Sequence, residues 1–339
     1  MLGARFRPCC YVVACSIGII ADSPGSGVTA GPNLSKMTCD SLVDVLRDRE
    51  RLVRTASCTL VVTETPIAEA AIPRIRAISE KRHDTWKGRN FMITPEVARK
   101  RGRTIRWHAA GKLERYEKYA TPEDVRKGIG AARSIEAFDG QFVRSLSLDR
   151  KPPAGGIYDP EKVHWDQSGE VGGYTLIYKY HASYLSGLLQ RSNDARLTPG
   201  NSNGVRNLTV IFTHPDFKEH TFKLVFDDHL RLRRRSYTLQ IPGYDEAPRL
   251  YETDELDDYR SYKDKSGAVI DFPHQATYHY FAGDDPVTKS PVEYTSWQIT
   301  VSDVELNAPM PKQLFTIEFP KNATIYDGLI GQDAEGVAK

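Results

Sequence analysis

The chain has 339 residues and carries 46 Lys+Arg against 44 Asp+Glu, a net charge of +2. The near balance excludes a global field pointing to nucleic acid or to an anionic surface, so a charged partner would need a local patch. The length allows one large β-rich domain or two ordinary ones, and 17 Tyr in a chain with 10% aromatic residues favour strands.

Residues 1–30 read as a signal peptide. Arg5 and Arg7 make a basic start, and Cys9 to Ala21 is an apolar run of 13 residues. That run is short for a spanning helix and right for a secretory core. Val28-Thr29-Ala30 offers small residues for cleavage, with a second option near Ala21. Val12-Val13-Ala14-Cys15 also resembles a lipobox, which makes a lipid anchor at Cys15 the alternative. Three of the five cysteines fall in this segment, leaving Cys39 and Cys58. An exported compartment permits a bridge between them. A helix over residues 40–54 would separate them by about 22 Å, which favours two unbridged thiols.

After a short linker over 31–39, one domain is predicted to fill 40–330, with a disordered tail at 331–339. Thr38 or Asp40 caps a helix with Leu42, Val45, Leu46, Leu52 and Val53 near 3.6-residue spacing. Ala56 to Thr65 changes to period two and is the first strand. Residues 67–83 fit a helix face that Pro73 breaks or kinks. Ile105, Trp107 and Ala109 share a strand face, Gly111 turns the chain, and Leu113 to Tyr119 returns it. Asp139-Gly140 then marks a tight hairpin, with Phe142, Arg144, Leu146 and Leu148 on one side and a wet face on the other. The Pro/Gly cluster at 152–156 reads as a loop, and 182–193 as a second amphipathic helix with Tyr184, Leu185, Leu188 and Leu189 on one face. Thr198 to Gly204 reads as an exposed loop.

A meander follows: Leu208, Val210 and Phe212; Phe222, Leu224 and Phe226; a turn at Asp227-Asp228; Leu230 and Leu232; then Tyr237, Leu239 and Ile241. The acidic run 252–258 reads as a solvated loop or a helix start. Three last strands are expected, at 270–281, at 294–306, and at Phe315, Ile317 and Phe319.

Ile105-Arg106-Trp107 with Leu113-Glu114-Arg115, the hairpin Phe138-Asp139-Gly140, Val304-Glu305-Leu306-Asn307, and Leu314 to Pro320 with Tyr326-Asp327 together resemble the periplasmic lipoprotein-carrier (LolA-like) family. The resemblance is to its divergent branch of outer-membrane lipoprotein-sorting proteins, over about residues 40–330. The chain departs from the pattern after Pro320, where Lys321-Asn322-Ala323 stands in place of a Pro-Gly turn, and in the insertion 67–94. The resemblance implies an α+β fold: a strongly curved antiparallel sheet, an incomplete barrel, with amphipathic helices covering its concave face. It also implies an exported, non-enzymatic carrier in the periplasm or cell envelope.

A sheet with one face of large apolar residues must cover it, and incomplete cover leaves room for an acyl chain. The candidate ligand-binding residues are Trp107, Phe212, Phe222, Leu224, Phe226 and Trp297, whose alternative role is to pack a closed core. Arg231, Arg233 and Arg235 are predicted on one strand face. They are a candidate patch for anionic headgroups or an acidic partner, which would allow peripheral membrane contact, or else a solvated outer face. The expected partner is a lipid or lipoprotein acyl chain; the alternative is an envelope sensor or scaffold that binds a protein. No cofactor, catalytic residue or nucleic acid is expected. The chain lacks Gly-x-Ser-x-Gly, His-Glu-x-x-His and phosphate-loop patterns. His214 with His220, or His274 with His279, beside Asp227 or Asp228, suit ordinary hydrogen bonding better than a metal.

Overall fold

The computed structural model describes residues 32–65, 69–85, 102–160, 183–202, 204–240, 247–263, 267–285 and 287–329. The signal-peptide and Cys15 readings, the tail 331–339 and residues 67–68 and 86–94 of the insertion lie outside them. Fourteen strands form one sheet: β1 (Thr55–Thr65), β2 (Gly102–Ala110), β3 (Leu113–Tyr119), β4 (Ser134–Phe138), β5 (Val143–Ser147), β6 (Ala154–Tyr158), β7 (Arg196–Ser202), β8 (Val205–Thr213), β9 (His220–Asp227), β10 (Leu232–Leu239), β11 (Arg249–Lys263), β12 (Val269–Asp284), β13 (Pro291–Leu306) and β14 (Thr324–Asp327). Their order is β14-β6-β5-β4-β3-β2-β1-β13-β12-β11-β10-β9-β8-β7, so the sheet is not closed. All neighbours are antiparallel except β14 and β6. The helices are α1 (Cys39–Leu52), α2 (Ile72–Thr85), α3 (Pro122–Arg126) and α4 (Ser183–Arg191).

Residues directly opposite one another in a sheet share a face, so the register sorts side chains into two sets. We call one set the front face. It carries Cys58 opposite Trp107, and Leu60 opposite Ile105 and Val301. It continues through Ala276 and Leu256 to Phe226, Leu224, Val210 and Leu208, all in one buried cluster. Leu42, Val43 and Leu46 of α1 and Leu185, Leu188 and Leu189 of α4 are buried in the same cluster. Within the stretch 31–39, Leu34–Lys36 forms a 3-10 turn that adds Leu34 to it.

Past β3 a second core forms on the opposite face. Tyr119, Ile135, Ala137 and Leu146 are buried there with Ile317 and Phe319. The first of two corrections at this end concerns the hairpin. Val143 and Leu146 are both buried and lie on opposite faces, so β5 has no wet side. Its turn is a four-residue loop closed by Phe138 opposite Val143, with Asp139 Oδ1 accepting from the amides of Gln141 (2.9 Å) and Phe142 (2.8 Å). The Asp side chain supplies the turn bonds that a two-residue loop would make through its backbone, and Gly140 takes φ +96°. The second correction concerns Phe315 to Phe319. This segment is a 3-10 turn (Lys312–Phe315) and an irregular stretch lying over the second core. It alternates because it covers a sheet, not because it joins one.

Three more expectations change. Pro73 sits in the first turn of α2, where its missing amide hydrogen costs no helical bond, so the helix is unbroken from Ile72. Thr198 to Ser202 belongs to edge strand β7, where Pro199 is tolerated. The cluster at 152–156 becomes strand β6 from Ala154. Gly155 is required there because a Cβ would collide with the Phe319 ring and meet Ser145 O at 2.9 Å.

Thr38 Oγ1 accepts from the Ser41 amide (3.2 Å) and Ser41 Oγ from the Thr38 amide (2.9 Å), a reciprocal cap that starts α1. Asn307 ends it. Its Nδ2 donates to Leu52 O (2.7 Å) and its Oδ1 accepts from Arg54 N (2.8 Å). Cys39 and Cys58 are unbridged, as the helix between them requires.

Candidate functional site

Three adjacent cross-strand rows on the front face differ in chemistry. The first is apolar: Val62, Ile299, Ala276 and Leu256. The next runs Glu64, Trp297, Tyr278, Asp254, Arg235, Leu224 and Val210. The third, nearer the β8–β9 loop, runs Tyr280, Glu252, Tyr237, Phe222 and Phe212. A buried ionic group thus interrupts an apolar face and is bordered by aromatic rings. Phe212 and Phe222 stack at 5.4 Å, Phe222 and Tyr237 at 5.2 Å, and Tyr237 meets Tyr251 edge-on at 5.5 Å.

Arg235 is paired with both Glu252 and Asp254. Burial pushes the Asp254 carboxyl up to about 6, against the opposing pull of the Arg235 charge and its hydrogen bond. Acidic residues 252–258 were expected in solvent. They instead lie in the middle of β11, where Asp254 faces Arg235 on the buried side and Glu255 faces Arg234 on the other, and only Glu255 and Asp257 are exposed.

The same pairing corrects the arginine patch. The ladder between β10 and β9 shifts between Leu232 and Arg234, a bulge that moves Arg235 to the buried front face. Arg231, Arg233 and Arg235 therefore do not share an exposed face. Arg231 Nε lies 2.7 Å from Asp227 Oδ2, Arg233 Nη2 lies 2.5 Å from Asp257 Oδ1, and Arg235 is enclosed.

All six candidate ligand-binding residues fall on the front face, but over a wide span. Trp107 lies on β2 against Cys58, and Phe226 lies in the row with Leu208. Phe212 and Phe222 border the ionic group on one side, and Trp297 lies two strands from Asp254 on the other. Trp107, Phe212, Phe222, Leu224 and Phe226 are buried, and Trp297 is half-buried. Sequence reading missed the group at the centre, Asp254 with Arg235 and Glu252. Its only signal was an acidic run and a basic run of matching period two.

The histidines considered as metal ligands each have another partner. His214 Nδ1 accepts from the amides of Asp216 (3.1 Å) and Phe217 (3.2 Å). His220 Nδ1 lies 2.8 Å from Tyr237 Oη. His274 bridges Tyr262 Oη (2.6 Å) and Val301 O (2.9 Å). His279 lies 3.0 Å from Glu293. Among the described residues no group of three His, Cys, Asp or Glu could hold a metal ion. Cys58 is enclosed, and burial pushes its thiol up to about 12, which removes the thiolate a nucleophile would need. Among the described residues no helix is long and apolar enough to cross a membrane.

No family model matches the sequence, and no curated protein matches it. Solved structures with a similar course include a DUF1329 family protein from Desulfovibrio piger, at 13% identity and a TM-score of 0.44, covering 82% of this chain and 95% of that one. A LolA superfamily protein from Nitrosomonas europaea is similar at 9% identity and a TM-score of 0.41, covering 81% of this chain and 97% of that one. The described architecture is itself mostly β, unclosed and with few helices.

Proposed function

We propose that the protein is an exported, non-enzymatic binder and carrier of a hydrophobic ligand, a lipid or the acyl chain of a lipoprotein, working in the periplasm or cell envelope. The observation that carries this reading is the front-face cluster. It runs across β1, β2 and β8–β13, and α1, α4 and Leu34 bury their apolar side chains in it. A closed barrel can fill its interior from its own strands, whereas an open sheet needs a separate cover. On this reading α1 and α4, whose leucines are buried in the cluster, are that cover. Their described polar anchors lie at the helix ends and between the helices: Arg49 donates to the carbonyls of His229 and Leu230, Arg47 bonds Gln190, Asn307 holds the end of α1, and Arg191 at the end of α4 pairs with both oxygens of Asp216. A cover held mainly by apolar contact exchanges those contacts for an acyl chain at little net cost, since each CH₂ taken from water contributes about 0.8 kcal/mol. On this reading Trp107, Phe212, Phe222, Leu224, Phe226 and Trp297, buried or half-buried beneath the cover, line the face that its displacement would expose.

Native mass spectrometry of the protein purified from its own envelope, followed by organic extraction, tests this. A stoichiometric lipid or lipopeptide is the expected result. A clean ligand-free mass, together with no binding of a fluorescent fatty acid, would overturn it.

A further inference from the structure

On the front face the buried atoms Asp254 Oδ1 and Trp297 Nε1, the indole donor, have no hydrogen-bond partner among the described residues. Asp254 is 3% exposed. One atom accepts and the other donates, and they stand in the same row on either side of Tyr278. Asp254 is not free to turn elsewhere, because its Oδ2 is held by Arg235 Nε. An unmet buried acceptor or donor costs about 1–3 kcal/mol, so the arrangement favours whatever supplies both bonds at once. Two strand spacings of about 4.8 Å separate the backbones of Trp297 and Asp254 by about 9.5 Å. Two inward side chains and one small group making hydrogen bonds of about 2.9 Å span that gap.

Charge narrows the group. Arg249 is buried on the same face, opposite Leu239, so Arg235 and Arg249 balance Glu252 and Asp254, and at the other end of the row Glu64, opposite Trp297, is balanced by Arg103, which lies 5.0 Å over the Trp297 ring. A further full charge would stand unmatched in a low-dielectric setting. The adjoining row of Ile299, Ala276 and Leu256 is apolar.

We propose that this row seats the polar end of the ligand: a neutral group carrying both a donor and an oxygen acceptor, a hydroxyl or an amide, on an aliphatic chain. The group donates to Asp254 Oδ1 and accepts from Trp297 Nε1 above the Tyr278 ring, and the chain follows the apolar row. This inference rests on the carrier reading and adds an anchor to it.

The test uses the delipidated full chain, with 1-dodecanol and tridecane displacing a fluorescent fatty-acid probe. Trp297→Phe keeps a ring and removes the donor; Asp254→Val removes the acceptor while Arg235 keeps Glu252. Each variant is expected to raise the Kd of dodecanol about tenfold and that of tridecane by less than about threefold. Trp297→Phe should also leave the ligand-free melting temperature unchanged or higher, since it deletes an unpaired group. Equal effects on the two probes, or no effect on dodecanol, would overturn the anchor and leave the carrier reading standing. If neither molecule nor the probe binds wild type, both fall. Should Asp254→Val fail to fold, Trp297→Phe decides alone.

Discussion

Asp254 has a measurable signature at the scale of one residue. Its carboxyl titrates near 6 in the folded protein against 3.8 in an unfolded chain, because burial disfavours the charge. Below about pH 4 both states hold the proton. Between about 4 and 6 the unfolded chain releases it first, so this group lowers stability as pH rises through that window, by about 3 kcal/mol in all. Asp254→Asn should therefore gain stability relative to wild type as pH goes from 4 to 7, measured by urea denaturation at each pH. A difference that stays flat would show that Asp254 is not held as a buried ion. Cys58 makes a second residue-scale prediction. With its thiol enclosed and pushed up to about 12, the Cys58 peptide should resist iodoacetamide until denaturant is added, whereas Cys39, half-buried at the start of α1, should label in the native protein. None of this was legible in the sequence. Residues 252–258 and 231–235 each read as surface, because a charge is expected in water unless its partner is known. The partner lies about twenty residues away across a ladder whose bulge at Arg233 no local pattern announces.

Among the elements, periodicity served wherever one face was apolar and the other wet. β1, β2, β3 and the β8–β10 meander stand where their alternation placed them, and so do α1 and α4. It failed where both faces are covered, as in β5, and where alternation came from a segment lying on a sheet, as with Ile317 and Phe319. The junction between α1 and β1 gives a direct test of element energetics. Asn307 takes φ +57° and serves Leu52 O and Arg54 N, while its own amide donates to Thr55 O at 2.8 Å. Asn307→Ala removes two hydrogen bonds and leaves a side chain that strains at positive φ. It should cost about 2–3 kcal/mol in chemical denaturation. Leu188→Ala, in α4, empties a fully enclosed site and should cost about 2–5 kcal/mol. If α4 is a displaceable cover, the same change should also raise binding of a fluorescent fatty acid.

For the whole molecule, the informative fact is that one sheet serves two large cores on opposite faces, besides a small cluster of Ile75, Ile78, Ala282 and Val292 under α2. The front core spans β1, β2 and β8–β13, and the rear core lies on β3–β5 beneath the segment around Ile317 and Phe319. Gly155→Ala should lift Phe319 from that rear core at a cost of about 1–3 kcal/mol, with little change in acyl-probe affinity if binding belongs to the front face. The chain's length and strand content foretold a large β-rich domain, and the openness of its sheet was what the family resemblance implied. The change of buried side past β3 was not foretold, because period-two patterning shows that a face is apolar and never which side it lies on. Two anchorages on opposite sides make the sheet behave like a leaf spring clamped at one end. On the carrier reading proposed above, the load falls on the β8–β13 wing while the rear core independently holds the β3–β5 end, so repeated loading need not approach global unfolding.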